Sequence, residues 1–301
     1  MSDNMEHIAV CVCTYKRPDY LKRLLAELAG QDTSGLFTYS VVVVDNDRSE
    51  SARTVVSGFA AASSIKIKYC VEPRQNIALA RNKAIENAQG DYVAFIDDDE
   101  LPTTYWLKTL YTMCVQNEVD GVLGPVKPHF DVKPPNWVVQ GKFYDRPSYP
   151  TGLVIDWTKG RTGNVLFKRQ VFDLDEPPFR PQFLTGEDQD FFRRMIENGR
   201  RFIWCHEAVA YEVVPPIRWK ISFMLRRALL RGKTSLEHPT SGARKVVTSI
   251  IAVAVYTVAL PFSLLWGQGK FMLLLVKTFD HLGRVLGAVG INLVRDSYVT
   301  E

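Results

Sequence analysis

A short apolar run that ends in four consecutive carboxylates constrains this chain more than any other stretch. Tyr92 to Ile96 are apolar, and the sequence Asp97-Asp98-Asp99-Glu100 follows directly. In folds built on parallel strands, ligands bind at the carboxyl ends of the strands. Adjacent carboxylates repel one another, and a divalent cation held by one or two of them relieves that repulsion. The stretch therefore predicts a buried strand with a cation site at its end. The alternative is that Asp99 or Glu100 caps a helix beginning at Pro102.

Other apolar runs repeat this pattern and indicate an α/β fold. Ile8 to Cys13 predicts a first strand, and Val41 to Val44 predicts a second that ends in Asp45-Asn46-Asp47. Ile65 to Val71 alternates in polarity and predicts a third, half-exposed strand. Leucines at helical spacing follow Pro18 and predict a helix, and the turn before them lacks the glycines of a dinucleotide-binding fingerprint. Asp45 either serves a ligand site or simply begins a turn.

Arg81 is an anomaly in the helix predicted from Ile77 to Ala88. It lies on the apolar stripe of that helix, one turn from both Ile77 and Ile85. An inward-facing guanidinium needs an anion. The sequence leaves open whether a carboxylate of this chain, from the cluster at Asp97 or Asp99 itself, or a bound phosphate supplies it.

Elements further along the chain are less regular. Tyr105 to Val115 predicts a helix, and Gly121 to Val126 and Asn164 to Phe167 predict strands. Between them, Lys127 to Lys159 is rich in proline and aromatic residues and predicts a long loop region. Aromatic faces there suit either sugar rings or packing against the body of the protein.

Asp188 lies near the start of a helix predicted to end at Asn198-Gly199. Its spacing from Thr185 resembles a capping box, which is the structural interpretation. The functional interpretation is a general base, which requires the carboxylate to reach the proton that it removes.

The carboxyl-terminal third carries basic and apolar segments. A basic amphipathic helix is predicted after Pro215-Pro216, and Val246 to Gly267 holds no charged residue over 22 positions. Phe271 to Val294 is apolar but interrupted by charges, which favours an interfacial or re-entrant segment. A basic stretch before the apolar run favours contact with anionic lipid at about 1 kcal/mol per basic residue. The alternative is a hydrophobic helical pair in a soluble dimer.

Composition limits the remaining classes. The 301 residues are 46% hydrophobic, and a net charge of +4 is too small to indicate nucleic acid binding. Five cysteines, an odd number, favour free thiols in a reducing compartment. Met1 to His7 lacks the apolar core of a signal peptide, so we expect the part before the apolar run to stay in the cytosol.

Four motifs in order resemble the signature of family 2 inverting glycosyltransferases with a GT-A fold. They are Asp45 after an early strand, the segment Asn76 to Asn82, the run Phe95 to Asp99, and the run Gly186 to Phe191. Within that family, Cys13 to Pro18 and Asp45 to Asp47 resemble bacterial exopolysaccharide glucosyltransferases of the succinoglycan type. The resemblance covers roughly residues 6 to 235 and implies Mn²⁺ or Mg²⁺ and a UDP-sugar donor, with UDP-glucose or a close relative as the expected donor.

The resemblance also implies a role for each matching residue. Thr14, Arg17, Asp45, Arg81, Asp97 and Asp98 would bind the nucleotide, with Asp45 at the base and Asp97 at the ribose. Asp99 would hold the metal that bridges the diphosphate. Asp188 would be the general base, and Glu187 would help to hold the acceptor.

Glu212 departs from the family pattern. Relatives often carry a histidine shortly before a Val-Pro-Pro run, whereas Glu212 stands in that neighbourhood here. A carboxylate can ligate Mn²⁺ but adds negative charge near a diphosphate. Glu212 is therefore a candidate metal ligand.

The expected organisation has three parts. Residues 1–125 would form the nucleotide-sugar half of a GT-A domain, 126–235 the acceptor half, and 236–301 a hydrophobic helical tail. The acceptor would be a lipid-linked oligosaccharide or a polysaccharide at the cytoplasmic face of the inner membrane, without nucleic acid, and an oligomer is compatible with the sequence. One alternative is a sugar nucleotidyltransferase, which requires a glycine-rich phosphate loop that the chain lacks. Another is a non-catalytic, membrane-tethered sugar-binding subunit, which would not need the carboxylates of Asp97, Asp99 and Asp188.

Overall fold

The chain forms two compact units. The computed structural model describes residues 5–183, 186–236, 243–291 and 293. The first unit comprises residues 1–127 and 146–213, and the second comprises residues 128–145 and 214–301. These units do not coincide with the three predicted parts, and the division of the chain by role stays a prediction.

Strands and helices alternate through the first half of the chain. The strands are β1 (His7–Thr14), β2 (Thr38–Asp45), β3 (Ile67–Val71), β4 (Tyr92–Phe95), β5 (Glu100–Pro102), β6 (Gly121–Leu123), β7 (Val126–His129), β8 (Val165–Lys168), β9 (Phe202–Trp204) and β10 (Ala210–Val213). The helices are α1 (Pro18–Ala29), α2 (Arg53–Ala62), α3 (Ile77–Asn87), α4 (Trp106–Gln116), α5 (Asn136–Gln140), α6 (Glu187–Glu197), α7 (Ile221–Thr234), α8 (Ala243–Ser263) and α9 (Gln268–Ala288). Short 3-10 helices cover Trp157–Lys159, Arg169–Phe172, Pro216–Trp219 and Leu264–Trp266.

A seven-stranded sheet of order β3-β2-β1-β4-β8-β6-β9 organises the first unit. Strands β3, β2, β1 and β4 are parallel, whereas β8 runs antiparallel to both β4 and β6. Apolar side chains on both faces of β1, β2 and β4 are buried, as expected for strands covered on both sides. The predicted mostly parallel α/β fold is confirmed.

The topology brings the polar strand ends together. Thr14, Asp45 and the residues after Phe95 all lie at the carboxyl edge of the parallel strands, because Thr14 pairs with Asp45 and Cys11 pairs with Phe95. Helix α1 buries the four leucines that predicted it, which are Leu21, Leu24, Leu25 and Leu28. The elements that the apolar pattern predicted therefore bring the polar strand ends to one edge of the parallel sheet.

Two local predictions in this unit are wrong. Pro102 does not begin a helix, because Glu100–Pro102 is strand β5, which pairs antiparallel with β10. Helix α4 begins at Trp106 after Tyr105, so neither Asp99 nor Glu100 caps it. The strand predicted from Gly121 to Val126 is two strands interrupted at Gly124-Pro125.

Helices α7, α8 and α9 form most of the second unit. Glycines allow α7 and α9 to approach closely: a Cβ at Gly232 would lie 2.0 Å from the Asp280 carbonyl oxygen, and one at Gly283 would lie 2.2 Å from that of Leu229. Met224 and Ala228 of α7 are buried with Val276 of α9. Buried Met224 and Ala228 agree with the predicted amphipathic helix, but the helix begins at Ile221, which is 49% exposed, after a 3-10 turn at Pro216–Trp219 in which Arg218 is buried.

One helix in the described ranges is long and apolar enough to cross a membrane. It runs from Ala243 to Trp266, with a mean hydropathy of 2.0 and 11% of the most apolar window buried. The following segment, whose apolar run is interrupted by charged residues, contains helix α9. Val294, the predicted end of that segment, lies outside the described residues.

Candidate active site

The acidic residues after β4 are buried and paired with polar groups from the β1–α1 turn. Thr14 Oγ1 donates a hydrogen bond to Asp98 Oδ2 at 2.7 Å. Arg17 Nη1 lies 3.4 Å from Asp98 Oδ1 and 3.2 Å from Asp99 Oδ2. Asp98 and Asp99 are 5% and 7% exposed, so these contacts hold two adjacent carboxylates away from bulk water. The structure thus brings together Thr14, Arg17, Asp98 and Asp99 as predicted, without testing their roles.

Asp98 and Asp99 together carry more negative charge than Arg17 balances. Burial, and secondly the charge of Asp99, raise the pKa of Asp98 from 3.8 to about 7. Arg17 and the Thr14 hydroxyl oppose that rise but do not cancel it. A group in this state gives up its proton readily to an incoming cation.

Glu100 lies deeper than the other acids of the cluster. Its side chain is fully buried, and its Oε1 has no hydrogen-bond partner among the residues that the structure describes, although Arg146 Nη1 lies 4.0 Å away. Burial, followed by the charge of Asp97, raises the pKa of Glu100 well above its ordinary value. A Cβ at Gly163 would lie 2.8 Å from Glu100 Oε1 and 3.1 Å from Asp97 Oδ2, so a side chain there would have to displace carboxylates of the cluster.

Arg81 faces inward, as predicted, and its nearest partner is a carboxylate of this chain. Its guanidinium forms a buried ion pair with Glu187, lies 3.9 Å from Asp97 Oδ1, and covers the ring of Phe179 at 5.5 Å. Burial alone would lower the pKa of Arg81, but the charges of Glu187 and Asp97 raise it. The suggestion that Asp99 is the partner is wrong, because Asp99 pairs with Arg17 instead.

Asp188 follows Glu187 in the first turn of α6. The residue before the helix is Gly186 with φ of 83°, and it provides no side-chain cap. The capping-box interpretation of Asp188 is wrong, because the cap position is Gly186; Thr185 itself lies outside the described residues. Asp188 Oδ1 accepts a hydrogen bond from the Gln189 backbone at 2.8 Å, and its charge contributes to the raised pKa of both Arg81 and Glu187.

Glu187 is buried against the arginine it pairs with. Burial raises the pKa of Glu187, and Arg81 offsets only part of that rise. The pair connects α6 to α3 directly, because Glu187 lies on α6 and Arg81 lies on α3, 106 positions away in the sequence. Asp188 therefore stands on a helix end whose position Arg81 fixes.

Asp45 is fully buried at the end of β2, and both of its oxygens already accept hydrogen bonds. Oδ1 accepts from the Asp47 backbone at 3.0 Å, while Oδ2 accepts from the Ala52 backbone at 2.7 Å and the Tyr69 hydroxyl at 2.9 Å. This geometry is the turn predicted as the alternative. Contact between Asp45 and a nucleotide base stays a prediction.

Glu212 lies on β10 directly opposite Glu100 of β5. Arg146 Nη2 donates a hydrogen bond to Glu212 Oε2 at 2.5 Å, and the charges of Glu212 and Glu100 raise the pKa of Arg146 against the lowering effect of burial. Arg146 therefore neutralises the extra carboxylate that stands where relatives often have histidine. The metal-ligand role of Glu212 stays a prediction.

The acids suit a cation that shares its ligands with a substrate. Within residues 5–183, 186–236 and 243–291, no group of three His, Cys, Asp or Glu side chains is arranged as a metal cage. Mg²⁺ and Mn²⁺ in phosphate-binding sites need only one or two carboxylates, with phosphate oxygens and water completing the shell. Asp99, which follows the 43%-exposed Asp97 by two positions, offers one such carboxylate.

The sequence motifs do not identify Arg146 or Gly163. Arg146 lies in the proline-rich aromatic region, where no periodicity marks an inward-facing position. Gly163 follows Thr162 in a stretch without a recognised motif. Arg146 contacts Glu212 and Glu100, which lie opposite each other where β10 pairs with β5, and that pairing has no local sequence signal.

Comparison with known proteins identifies the class that this fold and site define. The model of the family described as "Glycosyl transferase family 2" matches residues 9–174. The chain is 34% identical over 241 residues to the succinoglycan biosynthesis protein ExoM of Rhizobium meliloti (strain 1021), covering 78% of this chain and 75% of that protein. The chain belongs to glycosyl transferase family 2 and is a glycosyltransferase.

More distant similarities agree with this assignment. The poly(ribitol-phosphate) beta-N-acetylglucosaminyltransferase TarP of Staphylococcus aureus (strain N315) is 22% identical over 66% of this chain and 60% of its own length. Residues 1–349 of S. aureus TarS with UDP match with a TM-score of 0.53 at 16% identity, over 97% of this chain and 94% of that one. The mannosyltransferase PcManGT of Pyrobaculum calidifontis, solved with GDP-Man and Mn²⁺, gives 0.58 at 18% identity, over 93% and 88%. These structures establish the GT-A-type fold.

Proposed function

We propose that the chain is an inverting glycosyltransferase that moves a hexose from a UDP-sugar to a lipid-linked or polysaccharide acceptor. The observation that carries the proposal is the acidic cluster at the carboxyl end of β4, which faces Arg17 and Arg81 and lies near the start of α6. The succinoglycan protein and the neighbour solved with UDP support an exopolysaccharide context and a UDP donor. Glucose is the proposed sugar.

Donor binding follows from the residues at the edge of the sheet. Asp99, with Glu212 as a second candidate ligand, would hold Mn²⁺ or Mg²⁺, which when bound neutralises charge on the leaving diphosphate. Thr14 and Arg17 hold Asp98 and Asp99 in place, and Arg17 offers a guanidinium beside the phosphates. Asp45 would meet the base and Asp97 the ribose.

Transfer requires a proton to leave the acceptor hydroxyl. In this proposal Asp188 accepts it, because Asp188 is a partly exposed carboxylate on a helix end held by the Arg81–Glu187 pair. Glu187 positions the acceptor side of the site. A single displacement then inverts the anomeric carbon.

Replacing Asp188 tests the assignment of the base. We expect Asp188→Asn to lower the rate of transfer by about 10²–10⁴-fold, the range of general base catalysis, with UDP affinity unchanged. The measurement is release of UDP from a panel of UDP-sugars in the presence of acceptor. Glu197→Gln makes the same change in the last turn of α6 and should leave the rate unchanged.

Wild-type transfer by a folded Asp188→Asn variant would contradict the assignment of the base. The panel of donors also tests the choice of sugar. Release of UDP from UDP-glucose at a rate no greater than from other UDP-hexoses would contradict the proposed preference for glucose.

A further inference from the structure

The outer face of α8 is a broad apolar surface. Seven large side chains on α8 and the turn after it are between 53% and 81% exposed; they are Ile250, Ile251, Val255, Val258, Phe262, Leu265 and Trp266. No charged residue occurs between Val246 and Trp266. Soluble proteins seldom expose an apolar patch of this extent.

The inner face of α8 contacts polar side chains of α9. Ser249 is fully buried, and its hydroxyl lies 3.0 Å from Arg284 Nη1 and 3.1 Å from His281 Nδ1. The rings of Tyr256 and His281 meet edge to face at 5.6 Å. Polar groups of α9 therefore lie beside the first half of α8.

Helix α7 in turn is fixed to the same part of α9. Arg231 Nε donates to Asp280 Oδ1 at 2.8 Å, and Arg284 Nε donates to the Ser235 hydroxyl at 2.8 Å. The close approach at Gly232 and Gly283 keeps the two backbones together. The three helices thus form one layered body, with α8 on the outside.

This packing decides between crossing the membrane and lying on it. If α8 stood upright in a bilayer, the contacts of Tyr256 and Ser249 would carry His281, Arg284 and their partners on α7 toward the hydrocarbon. Charged side chains at that depth are costly. If α8 lies in the plane of one leaflet, its apolar face enters the lipid while α9 and α7 stay on the water side.

We propose that α8 is a monotopic membrane anchor that lies parallel to the bilayer, with the Leu264–Trp266 turn inserted in one leaflet. Arg244 and Lys270, which are exposed, flank the apolar face at its two ends and suit an anionic lipid surface. Trp266, 72% exposed, suits the headgroup boundary. The inference deepens the proposed function by naming how the enzyme meets its membrane, and it rests on that function only for the choice of a membrane as partner.

Flotation of the full chain with preformed vesicles tests the anchor without donor or acceptor. We expect binding to vesicles of phosphatidylcholine and phosphatidylglycerol, weaker binding to phosphatidylcholine alone, and loss of about tenfold or more in binding for Ile251→Asn/Val255→Asn/Val258→Asn. Val115→Asn/Val132→Asn/Val154→Asn replaces three exposed valines elsewhere and should bind as wild type. UDP release, measured with a soluble acceptor, should survive in both variants, so failure of the anchor and failure of the transferase assignment are distinguishable.

Two results would overturn the proposal. Equal vesicle binding by the α8 variant and wild type, with a lipid-free dimer that the α8 variant converts to monomer, would show that a second copy covers this face. Labelling of Gln268→Cys in intact cells by a membrane-impermeant maleimide added outside, above the wild-type background, would show that α8 crosses the membrane. We expect labelling at background in intact cells and full labelling after solubilisation in detergent.

Discussion

Arg81 and Glu187 form the buried ion pair on which the geometry of the site depends. Their side chains are 9% and 8% exposed, so removing one partner leaves an uncompensated charge away from water. We expect Arg81→Met to lower the free energy of unfolding by about 3–5 kcal/mol, and Arg81→Met/Glu187→Gln to recover most of that loss. Urea denaturation measures both. A single variant as stable as wild type would show that the pair is not formed.

Asp98 makes the stability of the metal-free protein depend on pH. Its pKa is about 7 in the folded state and ordinarily 3.8, so between these values the folded state holds a proton that the unfolded state has lost. Stability from this group is therefore complete below pH 3.8 and is lost as the pH rises toward 7. Thermal unfolding in EDTA should show that loss in wild type but not in Asp98→Asn. Parallel pH profiles for the two proteins would contradict the assignment.

Single residues show where the sequence was informative and where it was not. The inward position of Arg81 follows from helical periodicity, because the stripe around Ile77 and Ile85 is local. Its partner Glu187 could not be predicted, since the contact joins positions 106 apart. Arg146 could not be predicted for the same reason, because its partner Glu212 lies 66 positions away.

Elements with strong periodicity were predicted well. Strands β1, β2 and β4 and helices α1 and α3 lie where the apolar patterns placed them, because burial on both faces or one stripe leaves a clear signal. Strand β5 was missed. Its first residue, Glu100, is the last of the acidic run, and its last residue, Pro102, was interpreted as the start of a helix. Strands β5 and β10 pair although they lie far apart in the chain, and no local pattern reveals such a partner.

The crossing of α7 and α9 predicts a sharp difference between two glycines of α9. A Cβ at Gly283 would meet the Leu229 backbone at 2.2 Å, whereas one at Gly287 would meet a flexible Leu236 side chain at 3.1 Å. We expect Gly283→Ala to lower the free energy of unfolding by roughly 1–3 kcal/mol and Gly287→Ala to change it little. Thermal unfolding followed by circular dichroism is the measurement. Equal midpoints for the two variants would contradict the close packing.

At the scale of the whole molecule, the two units separate the proposed chemistry from the proposed anchor. The acidic cluster and α6 belong to the first unit, and α7, α8 and α9 belong to the second. Removing residues 246–301 would also remove α9, which covers Met224 and Ala228 of α7. Surface variants of α8 therefore separate membrane binding from folding better than truncation does.

The central claim is that the acids after β4 hold a divalent cation together with a nucleotide diphosphate. Calorimetric titration of UDP in Mn²⁺ and in EDTA, on wild type and Asp99→Ala, tests it most directly. We expect the affinity of the wild type for UDP to fall in EDTA by at least about tenfold, or about 1.4 kcal/mol. We also expect Asp99→Ala to bind UDP as weakly in Mn²⁺ as the wild type does in EDTA. Equal UDP affinity in all four conditions would contradict it.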